Sequence, residues 1–418
     1  MIKTIPVTRL RLGMFVHDVN ASWLDHSFWR SRFKLSDDTD ILRIRQSGIR
    51  EVRIDTDKGL DESSELAAAD TPAPLAVALP LADAAPPAPV PVAMSAPAPT
   101  SRRAANREAA VAQAAELYRR SVPKIASMFS QARLGKAVDS AECEPLVEEI
   151  SDSVLHNPGA LINVVRLKRR DEYTYMHSVA VCALMLSQGR ELGLEGEELR
   201  QAGMAGMLHD LGKACIPLEI LNKPGKLTDA EFTIVKTHPA RGHALLKQAG
   251  SASDTVLDVC LHHHEKIDGS GYPHGLSSEQ ITRIARMGAV CDVYDAVTSE
   301  RPYKSGWDPA EALRHMAQWK GHFDPYALQA LVRAVGIYPV GSLVRLESNQ
   351  LAVVVEQNPA ALLSPRVNAF YSLASKERID PLEIDLAEYN CSDKVIGWES
   401  PERWSFGDLN ALCGLSHA

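Results

Sequence analysis

Histidines and acids are concentrated in one part of this chain. Eight of its fourteen histidines fall between residues 177 and 274, under a quarter of the length. The segment "HHHEKIDGSGYP", which begins at His262, places three consecutive imidazoles and a glutamate before a turn with two glycines. Crowding imidazoles together costs free energy unless they bind a shared metal ion, so the clustering favours a metal centre.

The segment "HDLGK" combines the groups that a centre with two metal ions needs. His209 offers a nitrogen ligand, and Asp210 beside it offers a carboxylate that can bridge two ions. Lys213 follows on the same side of the helical turn, where its cation would face an anion bound by the metals. Asp292 falls in a second apolar helical pattern, where an unpaired buried charge would be costly.

Each of these residues also has an ordinary structural interpretation. A single histidine such as His177, in the apolar segment "YTYMHSVAVCALML", is most often a buried core residue with a satisfied ring. His238 and His243 are compatible with surface positions, and His209 with a helix end. The metal hypothesis therefore rests on the set and on its spacing.

Composition limits the class of protein. The 418 residues allow two or three domains, and the formal net charge of −8 argues against binding to nucleic-acid polymers. None of the seven cysteines forms a C-x-x-C pair, which favours a reducing compartment and disfavours a structural zinc site. No apolar run approaches the roughly 18 residues of a membrane span, so we expect a cytoplasmic protein with no membrane partner.

Changes in pattern along the chain predict several modules. Period-2 alternation near the N-terminus predicts strands, with a short helix at 39–48, and the Ala/Pro-rich stretch after it predicts a flexible linker. Helical patterns follow, and strand-like runs such as "LAVVVEQ" return near the end. The expected fold is multidomain, an all-α domain flanked by small α+β or β modules. The predicted boundaries are 1–58 for the N-terminal α+β module, 59–105 for the linker, 106–149 for connecting helices, 150–338 for the helical domain and 339–418 for a β-containing extension.

Two helix starts carry explicit signals. Thr228 with Glu231 three residues later forms a capping-box pattern. Asp308 precedes Pro309, a residue favoured at the first helical position. In contrast, His17 and Asp18 lie in a predicted strand without companions, and we assign them no function.

Taken in order, the motifs resemble a known family. His177, "HDLGK", "HPARGHALL", "HHEKIDGSGYP" and "DVYDAVTSERPYK" resemble the HD-GYP family, the branch of the HD phosphohydrolases that degrades the bacterial messenger cyclic di-GMP. The resemblance covers about residues 150–335, which it implies form a helical HD-GYP domain. The first 60 residues also look like a small module often found ahead of such domains.

The resemblance implies a set of site residues. The family pattern places two ligands directly before the glutamate, so His262 is expected to support the ligands without binding metal. Asp295 is likewise expected to support the ligands without binding metal. His243 and His274 are expected to be structural or loop residues. The implied metal ligands are His177, His209, Asp210, His238, His263, His264 and Asp292.

One position departs from the family pattern. Tyr173 stands where some members have a glutamate that supports a third metal, and Glu172 would point about 140° away from the ligand face. We therefore expect two divalent ions, iron or manganese, and not three. This puts complete hydrolysis to GMP in doubt and favours linear pGpG as the product.

Further residues are expected to contact the substrate. Tyr272, in the Gly-Tyr-Pro loop, either stacks on a nucleotide or packs on the core as part of an ordinary turn. Arg301 and Lys304 form a phosphate clamp, or else are solvated charges. Asp210 and Lys213 are the expected catalytic residues.

The function implied is metal-dependent hydrolysis of cyclic di-GMP in bacterial signalling. The alternatives are a sensor that binds cyclic di-GMP without hydrolysis, and a hydrolase of another nucleotide such as cyclic GMP-AMP. GGDEF-type or other signalling proteins and a second copy of the chain are the expected protein partners.

Overall fold

The computed structural model describes most of the chain. The described residues are 2–19, 33–35, 41, 51–60, 99–166, 173–223, 225–299, 306–404, 406 and 409–413. They divide into two compact units, Met1–Ala98 and Pro99–Ala418. Each unit is described by itself.

The N-terminal unit contains a small antiparallel sheet. Its strands are β1 (Ile2–Pro6), β2 (Phe15–Val19), β3 (Phe33–Lys34) and β4 (Glu51–Asp55), in the order β1-β4-β2-β3. Apolar residues buried on this sheet, including Ile5, Met14 and Ile54, form its core, which confirms the predicted strands. The predicted helix at 39–48 lies outside the described residues except for Ile41, and so does the predicted linker from 61 to 98.

Helices dominate the second unit up to residue 335. Twelve helices occur among the described residues. They are α1 (Pro99–Arg133), α2 (Glu144–His156), α3 (Pro158–Arg166), α4 (Tyr173–Glu191), α5 (Gly196–Leu208), α6 (Leu218–Leu221), α7 (Asp229–Val235), α8 (His238–Ala249), α9 (Asp254–His262), α10 (Arg283–Thr298), α11 (Pro309–Gln318) and α12 (Pro325–Val335).

Two of the predicted boundaries fall inside helices of the structure. Helix α1 begins at Pro99, so residues 99–105, predicted as the end of the linker, are helical. Proline is tolerated in the first helical turn and alanine has the highest helix propensity, so this Ala/Pro composition suits a helix start. The predicted boundary at 149/150 falls inside α2, whose buried side chains, such as Val147 and Ile150, continue the helical core.

Both predicted helix caps are confirmed. The Thr228 side chain accepts from the backbone N–H of Glu231, and the Glu231 carboxylate accepts from the backbone N–H of Thr228. The Asp308 carboxylate accepts from Ala310 and Glu311, with Pro309 as the first helical residue. These local contacts fix the starts of α7 and α11.

A second antiparallel sheet follows the helices and confirms the predicted strand-rich extension. Its strands are β5 (Leu343–Leu346), β6 (Gln350–Glu356), β7 (Arg366–Ser372), β8 (Glu377–Asp385) and β9 (Val395–Trp398), in the order β8-β7-β6-β5-β9. Within the part of the chain that the structure describes, no helix has the length and apolar character needed to cross a bilayer.

Candidate metal centre

The helical core brings the predicted ligands together from five helices. His177 lies on α4, and His209 and Asp210 directly follow the end of α5. His238 is the first residue of α8. The remaining ligands are His263 and His264, just after α9, and Asp292 on α10.

Six of these side chains form two groups of three. Within each group the potential ligand atoms lie within 4.8 Å of one another. The first triad is His177, His209 and Asp292, and the second triad is His238, His263 and His264. Three ligands per group leave coordination positions open for water or substrate, as in catalytic rather than structural sites.

The Asp210 carboxylate lies between the two triads and faces both. Its Oδ2 atom is 3.5 Å from His177 Nε2 and 3.4 Å from His209 Nε2. Its Oδ1 atom is 3.2 Å from His238 Nε2 and 3.8 Å from His263 Nε2. Each oxygen of one carboxylate is therefore directed at a different triad, which is the arrangement of a bridging ligand.

Hydrogen bonds on the far side of the rings orient the imidazoles. The Nδ1 atoms of His209 and His238 bond the backbone carbonyls of Gly206 and Val235 at 2.8 and 2.7 Å. His263 Nδ1 likewise lies 3.0 Å from the Val259 carbonyl. Because these Nδ1 atoms carry the hydrogen, each Nε2 presents a lone pair to the centre.

The resulting arrangement fits bound cations. His238 Nε2 and His263 Nε2 face each other at 3.3 Å, with a lone pair on each. Two further buried atoms, His209 Nε2 and Asp210 Oδ1, have no hydrogen-bond partner among the described residues. Opposed lone pairs and orphaned buried acceptors are unfavourable alone but are what a divalent ion requires. The clusters could therefore hold divalent metal ions.

The protonation of these groups is consistent with that fit. Burial lowers the pKa of His264 to about 3 and that of His263 well below its usual value, so both are neutral. Burial would raise the pKa values of Asp210 and Asp292, but neighbouring Lys213 or histidines outweigh it and hold both low. Burial also opposes a charge on His209, yet the adjacent carboxylates raise its pKa to about 10. The raised pKa reflects the attraction of the two carboxylates for a positive charge at His209 Nε2, which a bound cation would supply in place of a proton.

Two glycines allow the second triad to approach Asp210. A Cβ atom on Gly212 would lie 1.9 Å from the His238 carbonyl oxygen and 2.5 Å from the Gly242 nitrogen. A Cβ on Gly242 would lie 2.7 Å from Cys260 Sγ. The backbones therefore touch where "HDLGK" meets α8, and only glycine allows this contact. This role of Gly212 was not predicted from the sequence.

Glu265 holds the Gly-Tyr-Pro loop, a role that was not predicted from the sequence either. Its buried carboxylate accepts from the backbone N–H groups of His274 at 2.7 Å and Leu276 at 3.0 Å. The position of this acid, between the three histidines and the glycine-containing loop, is the feature of the sequence that could have indicated its role. Gly269 has a positive φ of 79°, whereas Gly271 allows a close approach, because a Cβ on Gly271 would lie 2.5 Å from Glu265 Cα.

Among the described residues, the cluster is most exposed at His264 and Lys213. The side chains of His264 and Lys213 are each 22% exposed, whereas those of the other ligands are at most 8% exposed. The Lys213 ammonium pairs with the Asp210 carboxylate. The half-buried Tyr272 ring packs against His264 at a tilt of 33°, with 4.7 Å between centroids, and Lys236 Nζ lies 5.6 Å from the centre of the tyrosine ring. Tyr272 and Lys213 therefore border the entrance.

Asp295 contacts the first triad through His177. Its Oδ2 atom lies 2.7 Å from His177 Nδ1, so that His177 Nε2 is directed at Asp292 Oδ1, 2.9 Å away. His262 instead bonds Asp258 at 2.7 Å and His274 at 3.1 Å, away from the two triads. Its supporting role stays a prediction, and His243 and His274 are outside both triads.

Several predicted residues lie outside the described part of the chain. Arg301 and Lys304 belong to the undescribed residues 300–305, so the phosphate clamp stays a prediction. Tyr173 begins α4, but its side chain is not described, and neither is Glu172. The side chains of His17 and Asp18 in β2 are likewise not described.

Removing the carboxylate that orients His177 is expected to weaken one metal site. Asp295→Asn should lower metal affinity by about 10–100-fold, because the amide no longer fixes the ring tautomer or strengthens its basicity. Titration of the metal-free protein with Mn²⁺ measures the loss. Asp258→Asn, which alters the partner of His262 outside the triads, is the matched control and should leave the affinity unchanged. Equal losses in both variants would contradict the role of Asp295.

Comparison with known proteins identifies the family. Residues 2–143 match a domain of unknown function (DUF3391), and residues 159–327 match the HD domain. Cyclic di-GMP phosphodiesterase PA4108 from Pseudomonas aeruginosa is 52% identical over 413 residues, which are 99% of this chain and 95% of the relative. The chain belongs to the HD-GYP family.

Other relatives of this HD-GYP protein align over part of its length. The cyclic di-GMP phosphodiesterase response regulator RpfG from Xanthomonas campestris is 46% identical over 147 residues, covering 34% of this chain and 38% of that protein. The 3′3′-cGAMP-specific phosphodiesterase 1 from Vibrio cholerae is 34% identical over 190 residues, covering 45% and 42%. The similarity to both relatives is confined to part of the chain, whereas the Pseudomonas relative also matches the N-terminal module.

Proposed function

We propose that this chain is a metal-dependent phosphodiesterase that hydrolyses cyclic di-GMP to linear pGpG. The observation that carries this proposal is the position of Asp210, one carboxylate directed at two triads of imidazole and carboxylate ligands. The Pseudomonas relative, similar over nearly the whole chain, supports cyclic di-GMP as the substrate.

The ligand set would hold two divalent ions, one in each triad, with Asp210 shared between them. All donors are nitrogen or oxygen atoms, which favours iron or manganese over the thiolate-rich sites of structural zinc. When bound, such ions activate water as a nucleophile near neutral pH and neutralise charge on phosphoryl oxygens. The structure does not describe the side chain of Tyr173, so the expectation of two ions and not three remains part of the proposal.

The residues at the entrance orient the substrate and stabilise charge. Lys213 Nζ, paired with Asp210 and partly exposed, faces the place where phosphoryl oxygens gain negative charge during hydrolysis. The same ammonium can give a proton to the departing ribose oxygen. Tyr272 offers an aromatic face for a guanine base. Burial and the charges of Asp292 and Asp210 raise its pKa, so the hydroxyl stays protonated and can donate a hydrogen bond.

The proposal is tested by product analysis on protein with a defined metal content. We expect protein purified without oxygen, or reconstituted with Mn²⁺ or Fe²⁺, to contain about two ions per chain and to convert cyclic di-GMP to pGpG. Cyclic GMP-AMP and cyclic di-AMP, assayed beside it, reveal the substrate preference. Full metal occupancy with binding but no turnover would favour the alternative of a sensor, and faster turnover of cyclic GMP-AMP would overturn the substrate assignment.

Loss of the entrance cation is expected to slow turnover without emptying the site. Lys213→Met should leave metal content unchanged and reduce kcat about a hundredfold, the effect of removing one donor that stabilises a developing anion. Lys247→Met, an exposed lysine in the last turn of α8, is the control and should keep full activity. An unchanged kcat in Lys213→Met would exclude this lysine from the reaction.

A further inference from the structure

The turn that carries Lys213 is a short 3₁₀ helix, Leu211–Cys215, which directly follows Asp210. The chain leaves this turn at Ile216, whose backbone is extended. The last carbonyl groups of a helix have no following N–H groups in the same helix, so they need donors from elsewhere. The end of this turn therefore depends on side chains from other segments.

Two arginines from different helices supply these donors. Arg133 Nη1 donates to the Ile216 carbonyl at 3.0 Å, and its Nη2 donates to the Lys213 carbonyl at 3.4 Å. On α8, Arg241 Nη1 donates to the Cys215 carbonyl at 2.8 Å. Because a guanidinium holds its donors in a rigid fork, Arg133 fixes two carbonyls of the turn relative to each other.

Helix α1 determines where this fork lies. Arg133 is the last residue of α1, which begins at Pro99 directly after the N-terminal unit. One turn earlier, the buried Phe129 ring packs edge-on against the Tyr175 ring of α4, with 5.4 Å between centroids. Tyr175 is two residues before His177. The end of α1 thus contacts both α4 and the turn that follows Asp210, the two segments on either side of the first triad.

Lys213 is the residue of this turn that reaches the metal centre. Its ammonium pairs with the Asp210 carboxylate, while its carbonyl accepts from Arg133. A lysine side chain is a flexible four-carbon stem, so the place of its charge depends on how firmly its backbone is held. A loosened backbone would leave the ammonium displaced from the developing charge, and small displacements of this kind slow reactions strongly.

We propose that Arg133 is a positioning residue for Lys213, and that it makes the rate of hydrolysis depend on where the end of α1 lies. The guanidinium holds the backbone of the turn, and the turn directs the ammonium. The inference rests on the proposed function for the role of Lys213 in hydrolysis, whereas the holding of the turn by Arg133 does not.

Hydrogen exchange tests the holding of the turn without any turnover. In the full-length protein, Arg133→Met should raise the exchange rates of the backbone amides in 211–216 about tenfold, because the turn opens more often without its external donors. Arg119→Met is the matched control, since this exposed arginine of α1 pairs with Glu116 of the same helix, and it should leave these rates unchanged. Unchanged exchange in Arg133→Met would overturn the proposal.

Kinetics test the consequence for hydrolysis. Arg133→Met should lower kcat for cyclic di-GMP about tenfold with unchanged KM and metal content, because the ligands keep their own helices. Arg133→Lys, which retains the charge but not the fork, should recover only part of the rate. A normal kcat in Arg133→Met would overturn the positioning role, whereas absence of turnover in the wild-type protein would be a failure of the proposed function.

A double-mutant cycle separates positioning from general support of the fold. In the Lys213→Met background, Arg133→Met should cause no further loss of kcat, because the ammonium that it positions is already gone. An equal loss of kcat in both backgrounds would mean that Arg133 does not act through Lys213, and would overturn the proposal.

Discussion

Asp210→Asn is expected to abolish both metal retention and phosphodiester hydrolysis. The amide keeps the size of the side chain but removes the negative charge, and its nitrogen cannot bind a cation. One of the two faces directed at the triads is therefore lost, whichever way the amide is oriented. We expect a loss of at least about 10⁴-fold in kcat, because both the shared ligand and the activated water depend on this charge.

Elemental analysis and turnover of cyclic di-GMP, measured on the same preparation, test this expectation. Asp258→Asn is the matched control, since it removes a partly exposed acid that bonds His262 outside the two triads. Circular dichroism separates metal loss from unfolding. Full metal occupancy in Asp210→Asn would refute the bridging role of this carboxylate.

The residues that converge in the two triads could be picked out from the sequence because their types and order carry most of the information. Clustered imidazoles and acids such as His209 and Asp210 are rarely placed on apolar helices without a shared ion. The helix caps at Thr228 and Asp308 could be predicted because each depends on residues within three positions. Local chemistry of this kind needs no knowledge of which helices meet.

What could not be predicted depends on contacts between distant segments. Glu265 fixes the loop through backbone groups nine and eleven residues away, which only the folded loop brings together. Arg107 of α1 pairs with Glu383 of β8 in the C-terminal sheet, and no periodicity in the sequence specifies that contact. Helix α1 begins inside the predicted linker because alanine and proline occur both in extended linkers and in the first turns of helices.

Gly212 illustrates the same limit, and its replacement gives the second large effect. Gly212→Ala places a methyl group where the His238 carbonyl oxygen and the Gly242 nitrogen are both backbone atoms, which cannot move aside as a flexible side chain could. Helix α8 must therefore shift away from Asp210. We expect the free energy of unfolding to fall by about 3 kcal/mol or more, at the upper end for overpacking.

The same shift should separate the two triads. His238 begins α8, so moving this helix lengthens the 3.2 Å distance between His238 Nε2 and Asp210 Oδ1 and weakens the second metal site first. Thermal unfolding and metal analysis should show a lower melting temperature and about one ion lost per chain. Gly397→Ala, whose added methyl meets nothing within 4 Å, is the matched control and should change neither. A normal melting temperature with both ions retained in Gly212→Ala would mean that α8 does not need this close backbone contact to place its histidine.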